Sequence, residues 1–145
     1  MNLRARPGFA RTILAGYIGG SLLTDGVADV SQGDHWGWPW ITVGAAALWM
    51  LVQHLREQAL RGLDRPDTTW ARVDTANAAI LAVLITLMVI DAQVDPDTPA
   101  AGAATYAVAA VYAALLFDFT FQRRQTVRAQ PAVCSQAKRL DPTDL

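Results

Sequence analysis

Charged side chains are scarce in this chain, and lysine, histidine and cysteine are scarcer still. Charged residues make up 17% of the 145 positions, against roughly 25% in soluble domains. The single cysteine, Cys134, excludes an intramolecular disulfide and a cysteine-based zinc cluster. The net charge of −1 gives no electrostatic basis for binding nucleic acid. We therefore expect neither a zinc site nor a nucleic-acid partner.

Several motifs that carry chemistry are also missing. There is no glycine-rich phosphate loop, and no pair of histidines at metal-binding spacing. His35 and His54, the only two histidines, are predicted on opposite membrane faces, which disfavours paired haem ligation within one chain. No Ser/His/Asp site can be assembled with any specificity, and the apolar stretches lack a lysine for a Schiff base. We predict a protein that is not an enzyme and that holds no metal or cofactor.

What the chain does have is long apolar stretches, of which the fourth, residues 100–121, is the clearest. It contains one charge, Asp118, and no basic residue. Its length of about 30 Å as a helix matches the hydrocarbon core of a bilayer. Small residues on a membrane helix usually meet another helix, and here they form a stripe that leads to Asp118: Ala103, Ala107, Ala110 and Ala114.

Three further apolar stretches precede it, and together they predict an all-α, four-helix transmembrane bundle. The predicted spans are residues 9–27, 38–56, 71–90 and 100–121. Trp36, Trp38 and Trp40 surround Pro39 at the start of the second span, as expected at a membrane interface and in a first helical turn. Residues 122–145 are polar, with Pro131 and Pro142, and are predicted to be a poorly ordered cytoplasmic tail.

The first span carries a patch of small residues that includes Gly16, Gly19 and Gly20. Gly16 and Gly20 have the GxxxG spacing that allows close helix packing in lipid. A basic start followed by a short apolar stretch is also typical of a secretory signal peptide. The absence of a small-x-small cleavage site, and the three spans that follow, favour a membrane span.

The distribution of charge predicts the topology. If the four spans alternate, all twelve basic residues fall on one side, with both termini and the loop between spans two and three. By the positive-inside rule this side is the cytoplasm, and the protein is a multi-pass plasma or inner membrane protein. The other side carries only acidic residues: Asp25, Asp29, Asp34, Asp91, Asp95 and Asp97.

Four polar residues lie at about the same depth near the cytoplasmic interface: Arg11, His54, Asp74 and Asp118. Such residues usually pair or face the bundle interior. We predict an inner polar cluster in which Arg11 compensates Asp74 and Asp118 and fixes helix packing. The alternative is an ion or proton site. The six outer aspartates could likewise attract cations or bind Ca²⁺, but their spacing matches no known metal loop, which favours solvated loops.

No family resemblance is evident, and a four-span architecture alone implies no activity. We expect a structural or accessory membrane protein that forms homo-oligomers or joins other membrane subunits through its small-residue helix faces. The alternative is a small cation or proton channel or transporter, including a holin-like pore. The absence of a charge near the bilayer midplane favours the first, since a coupling site is expected there.

Overall fold

The computed structural model shows four helices and describes residues 9–61, 69–94 and 98–139, with side chains described as far as residue 128. The helices are α1 (Phe9–Ser31), α2 (Gly37–Leu60), α3 (Arg72–Val94) and α4 (Pro99–Arg139). The described residues contain no strand. The predicted all-α class and the four helices are therefore confirmed, and each helix starts within one residue of its predicted span.

Local side-chain contacts explain where the helices begin and end. Gly33, with φ of +88°, terminates α1 because glycine tolerates this left-handed conformation. Asp34 follows, and its Oδ1 accepts the Trp36 backbone N–H at 2.9 Å. Thr98 Oγ1 accepts the Ala101 N–H at 3.0 Å, which caps the start of α4. These features mark the end of α1, the start of α2 and the start of α4. All three lie at the end of the bundle that carries the predicted outer aspartates.

The helices run alternately up and down. Ser31 Oγ lies 3.0 Å from Thr98 Oγ1, which joins the end of α1 to the start of α4. At the opposite end, α3 and α4 are joined by an ion pair between Asp74 and Arg123. Helix α1 packs most closely on α2, and α3 on α4, whereas α2 and α3 barely touch. Helices α2 and α3 therefore occupy opposite corners of the bundle.

Glycines bring α1 and α2 into backbone contact at two levels. Gly19 and Gly26 are seven residues apart on α1, as are Gly37 and Gly44 on α2. A Cβ on Gly26 would lie 2.7 Å from the Gly37 carbonyl oxygen, and one on Gly44 would lie 2.9 Å from the Gly19 carbonyl oxygen. Any side chain at these positions would force the helices apart. Seven-residue spacing keeps both contacts on one face of each helix.

The glycine patch of α1 lies inside the bundle. Gly16, Gly19 and Gly20 are all buried. Gly16 faces Leu84 of α3, and Gly20 faces the hydroxyl of Tyr112 on α4. That hydroxyl donates a hydrogen bond to the Gly16 carbonyl oxygen. The predicted packing patch is thus occupied by helices of the same chain, and it is not exposed to a second copy.

The exterior of the bundle is apolar, while part of its interior is polar. Large exposed apolar side chains occur on every helix, for example Leu14, Met50, Val83 and Phe117. Two segments are long and apolar enough to cross a membrane, Arg72–Val94 and Pro99–Arg128. Only 28% and 33% of their most apolar windows are buried, whereas the core helix of a soluble protein would be mostly covered. The fold is therefore compatible with a lipid environment.

Helices α1, α3 and α4 extend beyond the predicted spans. Helix α1 continues to Ser31 and α3 to Val94, so Asp25, Asp29 and Asp91 lie on helices and not in loops. Helix α4 continues through Gln122 to Arg139, where a poorly ordered tail was predicted. Residues 122–130 contain no helix breaker, and Arg123 and Thr126 are buried against the other helices. These contacts stabilise two further turns beyond the predicted span.

Candidate functional site

The most polar buried site lies at the end of the bundle that carries the basic residues. Asp74, in the first turn of α3, is 0% exposed, and Arg123 of α4 is 2% exposed. Arg123 Nε lies 2.9 Å from Asp74 Oδ2. A buried pair of this kind stabilises a fold only when its remaining donors and acceptors also find partners.

Arg123 uses its other nitrogens to hold the connection between α2 and α3. Nη1 donates to the Arg61 carbonyl oxygen at 2.6 Å, and Nη2 donates to the Thr69 carbonyl oxygen at 3.2 Å. A planar guanidinium can serve three acceptors at once, which an ammonium group on a flexible stem does less well. Arg123 therefore ties α4 to the end of α2, to the following connection and to α3.

Asp74 has a second role as a helix cap. Its Oδ2 accepts the Ala71 backbone N–H at 2.9 Å, the reciprocal half of a capping box. A carboxylate in the first turn also interacts favourably with the helix dipole. Asp74 Oδ1, in contrast, is buried with no hydrogen-bond partner in the described part of the chain.

A neutral polar contact lies one turn deeper in the bundle. Thr12 Oγ1 of α1 donates to Asn77 Oδ1 of α3 at 2.8 Å, and both residues are buried. Asn77 Nδ2 finds no acceptor among the described residues. Since Asn77 follows Asp74 by three positions, the two side chains share one face of α3. Together they form a polar centre of Asp74, Asn77, Thr12 and Arg123.

The predicted pairing of Arg11 with Asp74 and Asp118 is wrong. Asp74 pairs with Arg123 at 2.9 Å, and Arg11 is exposed. Adjacent residues of a helix point about 100° apart. Helix α1 therefore turns Thr12, and not Arg11, towards α3.

The other two members of the predicted inner cluster lie apart from the polar centre. Asp118 is half-buried, and both of its oxygens are 2.7 Å from Nε2 of Gln122, one turn later on α4. His54 is half-buried and lines a surface cavity together with Arg11. The four residues do lie at one end of the bundle, but they do not form one cluster.

The outer acidic residues are dispersed. Asp25 is exposed on α1, Asp91 is exposed on α3, and Asp34 serves the turn before α2. Asp95 and Asp97 lie outside the described residues. Among the described residues, no group of three His, Cys, Asp or Glu side chains could hold a metal ion. The structure assigns Asp34 a local structural role and brings no three carboxylates together among the described residues.

The alanine stripe of α4 faces away from the bundle. Ala103, Ala107, Ala110 and Ala114 are all exposed. The face of α4 that packs against the other helices instead carries larger residues, including Val108, Tyr112 and Phe119. Helix α4 thus presents the four alanines outwards beside the exposed Tyr106, Val111 and Phe117, and its packed face includes Ala101, Gly102 and Ala109 as well as larger residues.

Sequence reasoning overlooked the residues that hold the bundle together most directly. In the sequence, Arg123 is only one of twelve basic residues on the predicted cytoplasmic side. Gly26, Gly37 and Gly44 are not part of the predicted packing patch. The glycines did carry a signal, because the pairs 19/26 and 37/44 have the same seven-residue spacing on either side of the connection between α1 and α2. Arg123 carried no such signal. Arg124 beside it is the same residue type but is exposed, so the sequence does not show which of the two is buried. Comparison of the chain with protein-family models, curated proteins and solved structures found no match.

Proposed function

We propose that this chain is a non-enzymatic membrane protein that crosses the plasma or inner membrane four times, keeps both termini in the cytoplasm and associates with further copies of itself through α4. It acts as a structural or accessory component of a membrane assembly. The observation that carries this proposal is the outward-facing alanine stripe of α4.

Exposed apolar side chains support four spans. Helices α1 and α2 expose the side chains of Leu14, Tyr17, Trp49 and Met50. Exposure of such a large apolar surface is unfavourable in water but not in lipid. The alternating direction of the helices places Arg61, Arg72 and Arg123 at one end, whereas the other end carries Asp29, Asp34 and Asp91. This sorting of charge supports the cytoplasmic assignment of the basic end.

The stripe on α4 has the spacing of a helix–helix seam. Its members follow one another at intervals of four, three and four residues, and the pattern continues through Phe117 and Phe121. Six positions of this seam are exposed: Ala103, Ala107, Ala110, Ala114, Phe117 and Phe121. Alternating intervals of three and four residues are the periodicity of left-handed helix pairs, which are the common arrangement in membranes.

A second copy is the partner that fits this seam. Copies of one membrane protein share one orientation, so a two-fold axis along the membrane normal places the same face of both α4 helices in contact. The alanines allow close approach, and the two phenylalanines, already stacked with centroids 6.0 Å apart, would widen the contact towards the cytoplasm. The glycine patch of α1 cannot serve this purpose because it is buried within the chain.

The test is to enlarge one alanine of the seam. Ala110→Leu should weaken self-association in mild detergent about tenfold, equivalent to about 1.4 kcal/mol, because the added side chain separates the helices. Ala82→Leu makes the same change at an exposed position of α3 and should leave association unchanged. Analytical ultracentrifugation measures both. A wild-type protein that remains monomeric at all concentrations would rule out the proposal.

The polar centre favours one alternative, a cation or proton pathway. Asp74 Oδ1 is a buried acceptor without a partner in the described residues, as a proton-binding carboxylate would be. Against this, Arg123 compensates the Asp74 charge, and Leu51, Leu81 and Tyr112 fill the middle of the bundle. Reconstituted vesicles with a pH-sensitive dye decide between the two: proton flux that Asp74→Asn abolishes, in a variant whose unfolding midpoint shows that it is folded, would favour the pathway.

A further inference from the structure

A groove runs between α1 and α2 on the outside of the bundle, at its basic end. Its volume is about 680 Å³, within the range of small-molecule sites. Apolar side chains line most of it, among them Leu14, Ile18 and Met50. Arg11 and Glu57 are its charged lining residues. The groove is thus mostly apolar, with one positive group, one negative group and the polar side chains of Gln53 and His54.

These two charges lie at one end of the groove. Arg11 is in the first turn of α1, and Glu57 is in the last turn of α2. Ile18 lies two turns further along α1, about 10 Å deeper. If the bundle spans the membrane as proposed above, the charges are at headgroup level and the apolar part runs along the acyl chains.

Neither charge has an ion-pair partner among the described residues. Arg11 and Glu57 are both exposed. A charge that faces the edge of a bilayer is costly unless a counter-charge approaches it. The groove therefore presents a cation and an anion to whatever lies beside it.

We propose that this groove binds one phospholipid with a phosphoethanolamine headgroup. The phosphate accepts hydrogen bonds from the Arg11 guanidinium, the primary ammonium donates to the Glu57 carboxylate, and an acyl chain lies along Leu14, Ile18 and Met50. Charge complementarity selects this headgroup. A choline group has no N–H to donate to Glu57, and a glycerol headgroup leaves the carboxylate beside a net negative charge.

The lipid preference can be measured by native mass spectrometry of the purified, delipidated chain in mild detergent. Dioleoyl phosphatidylethanolamine, phosphatidylcholine and phosphatidylglycerol are added at equal concentration. We expect the one-lipid adduct with phosphatidylethanolamine to be about fivefold more abundant than either other adduct. One additional charged contact at an exposed site provides a difference in affinity of this size. Equal adducts with all three lipids would overturn the proposal.

Two substitutions assign the headgroup contacts. Glu57→Gln should remove the preference over phosphatidylcholine and increase the phosphatidylglycerol adduct, whereas Arg11→Gln should reduce all three adducts about fivefold. Arg56→Gln and Asp91→Asn alter exposed charges that do not line the groove and should preserve the wild-type pattern. A preference that survives Glu57→Gln would overturn the assignment, provided that the unfolding midpoint shows a folded variant.

A competing occupant, a second copy of the chain, gives a different result. Leu14→Cys in a Cys134→Ser background would then form a disulfide between copies, and this result would overturn lipid binding. The groove and the α4 seam are on different helices, so their tests are independent. A dimer without lipid preference disproves only the groove, and a monomer with lipid preference disproves only the association.

Discussion

Arg123 and Asp74 are 49 positions apart in sequence, yet their side chains form a buried ion pair 2.9 Å long. The same guanidinium binds the carbonyl oxygens of Arg61 and Thr69. One side chain of α4 therefore contacts the end of α2, the start of α3 and Thr69 just before α3. Arg123 thus joins three parts of the chain at the basic end of the bundle.

Breaking the pair should destabilise the protein strongly. Asp74→Asn leaves the Arg123 charge buried without its counter-ion, and we expect a loss of about 3 kcal/mol in the free energy of unfolding. The unfolding midpoint in mild detergent measures this loss. Adding Arg123→Gln should recover part of it, because the uncompensated charge is then removed.

Asp118→Asn is the matched control for that experiment. Asp118 is half-buried and accepts hydrogen bonds from Gln122 on its own helix, with no ion pair among the described residues, so the expected loss is below about 1 kcal/mol. A loss as large as that of Asp74→Asn would show that Asp118 also supports the bundle. An unchanged midpoint for Asp74→Asn would contradict the stabilising ion pair between Asp74 and Arg123.

The glycine contacts between α1 and α2 predict a ranking of substitutions. A Cβ at Gly44 would lie 2.7 Å from the Leu23 backbone nitrogen, whereas one at Gly16 would meet the end of the Leu84 side chain. A backbone atom cannot move without the helix, but a leucine methyl can rotate away. Gly44→Ala should therefore cost about 1–3 kcal/mol and Gly16→Ala less.

Thermal unfolding in detergent would check this ranking. Ala45→Leu, an enlargement on the exposed face of α2, serves as the control and should change the midpoint little. If Gly44→Ala and Ala45→Leu have the same midpoint, the close backbone contact between α1 and α2 does not exist in the folded protein.

The proposed orientation is testable by cysteine labelling in intact cells. Val94 is 77% exposed at the end of α3, and Val94→Cys in a Cys134→Ser background should react with an impermeant maleimide. Native Cys134 should react only after permeabilisation, because α4 leads it to the basic side. Labelling of Cys134 in intact cells would reverse the topology.

Helix positions were predictable because apolar length and helix-boundary residues are local properties. The start of each helix follows from residues such as Pro39 and Pro99, which are read without knowing the fold. Side-chain partners were less predictable. Thr12 and Arg11 are adjacent and both polar, and their sequence does not show which one faces α3. The predicted Arg11 pairing was wrong for this reason.

By itself, the sequence determined that the chain is all-α, that it has four long helices and that its charges are sorted between alternate connections. Hydrophobicity and charge act on each segment separately, so these properties do not depend on the neighbours. Only the tertiary structure decided that the Gly16 patch is internal, that the Ala110 face is external and that Arg123 is the partner of Asp74. Each depends on the rotation of one helix about its axis relative to the others, and that rotation is set by the packing of all four helices together.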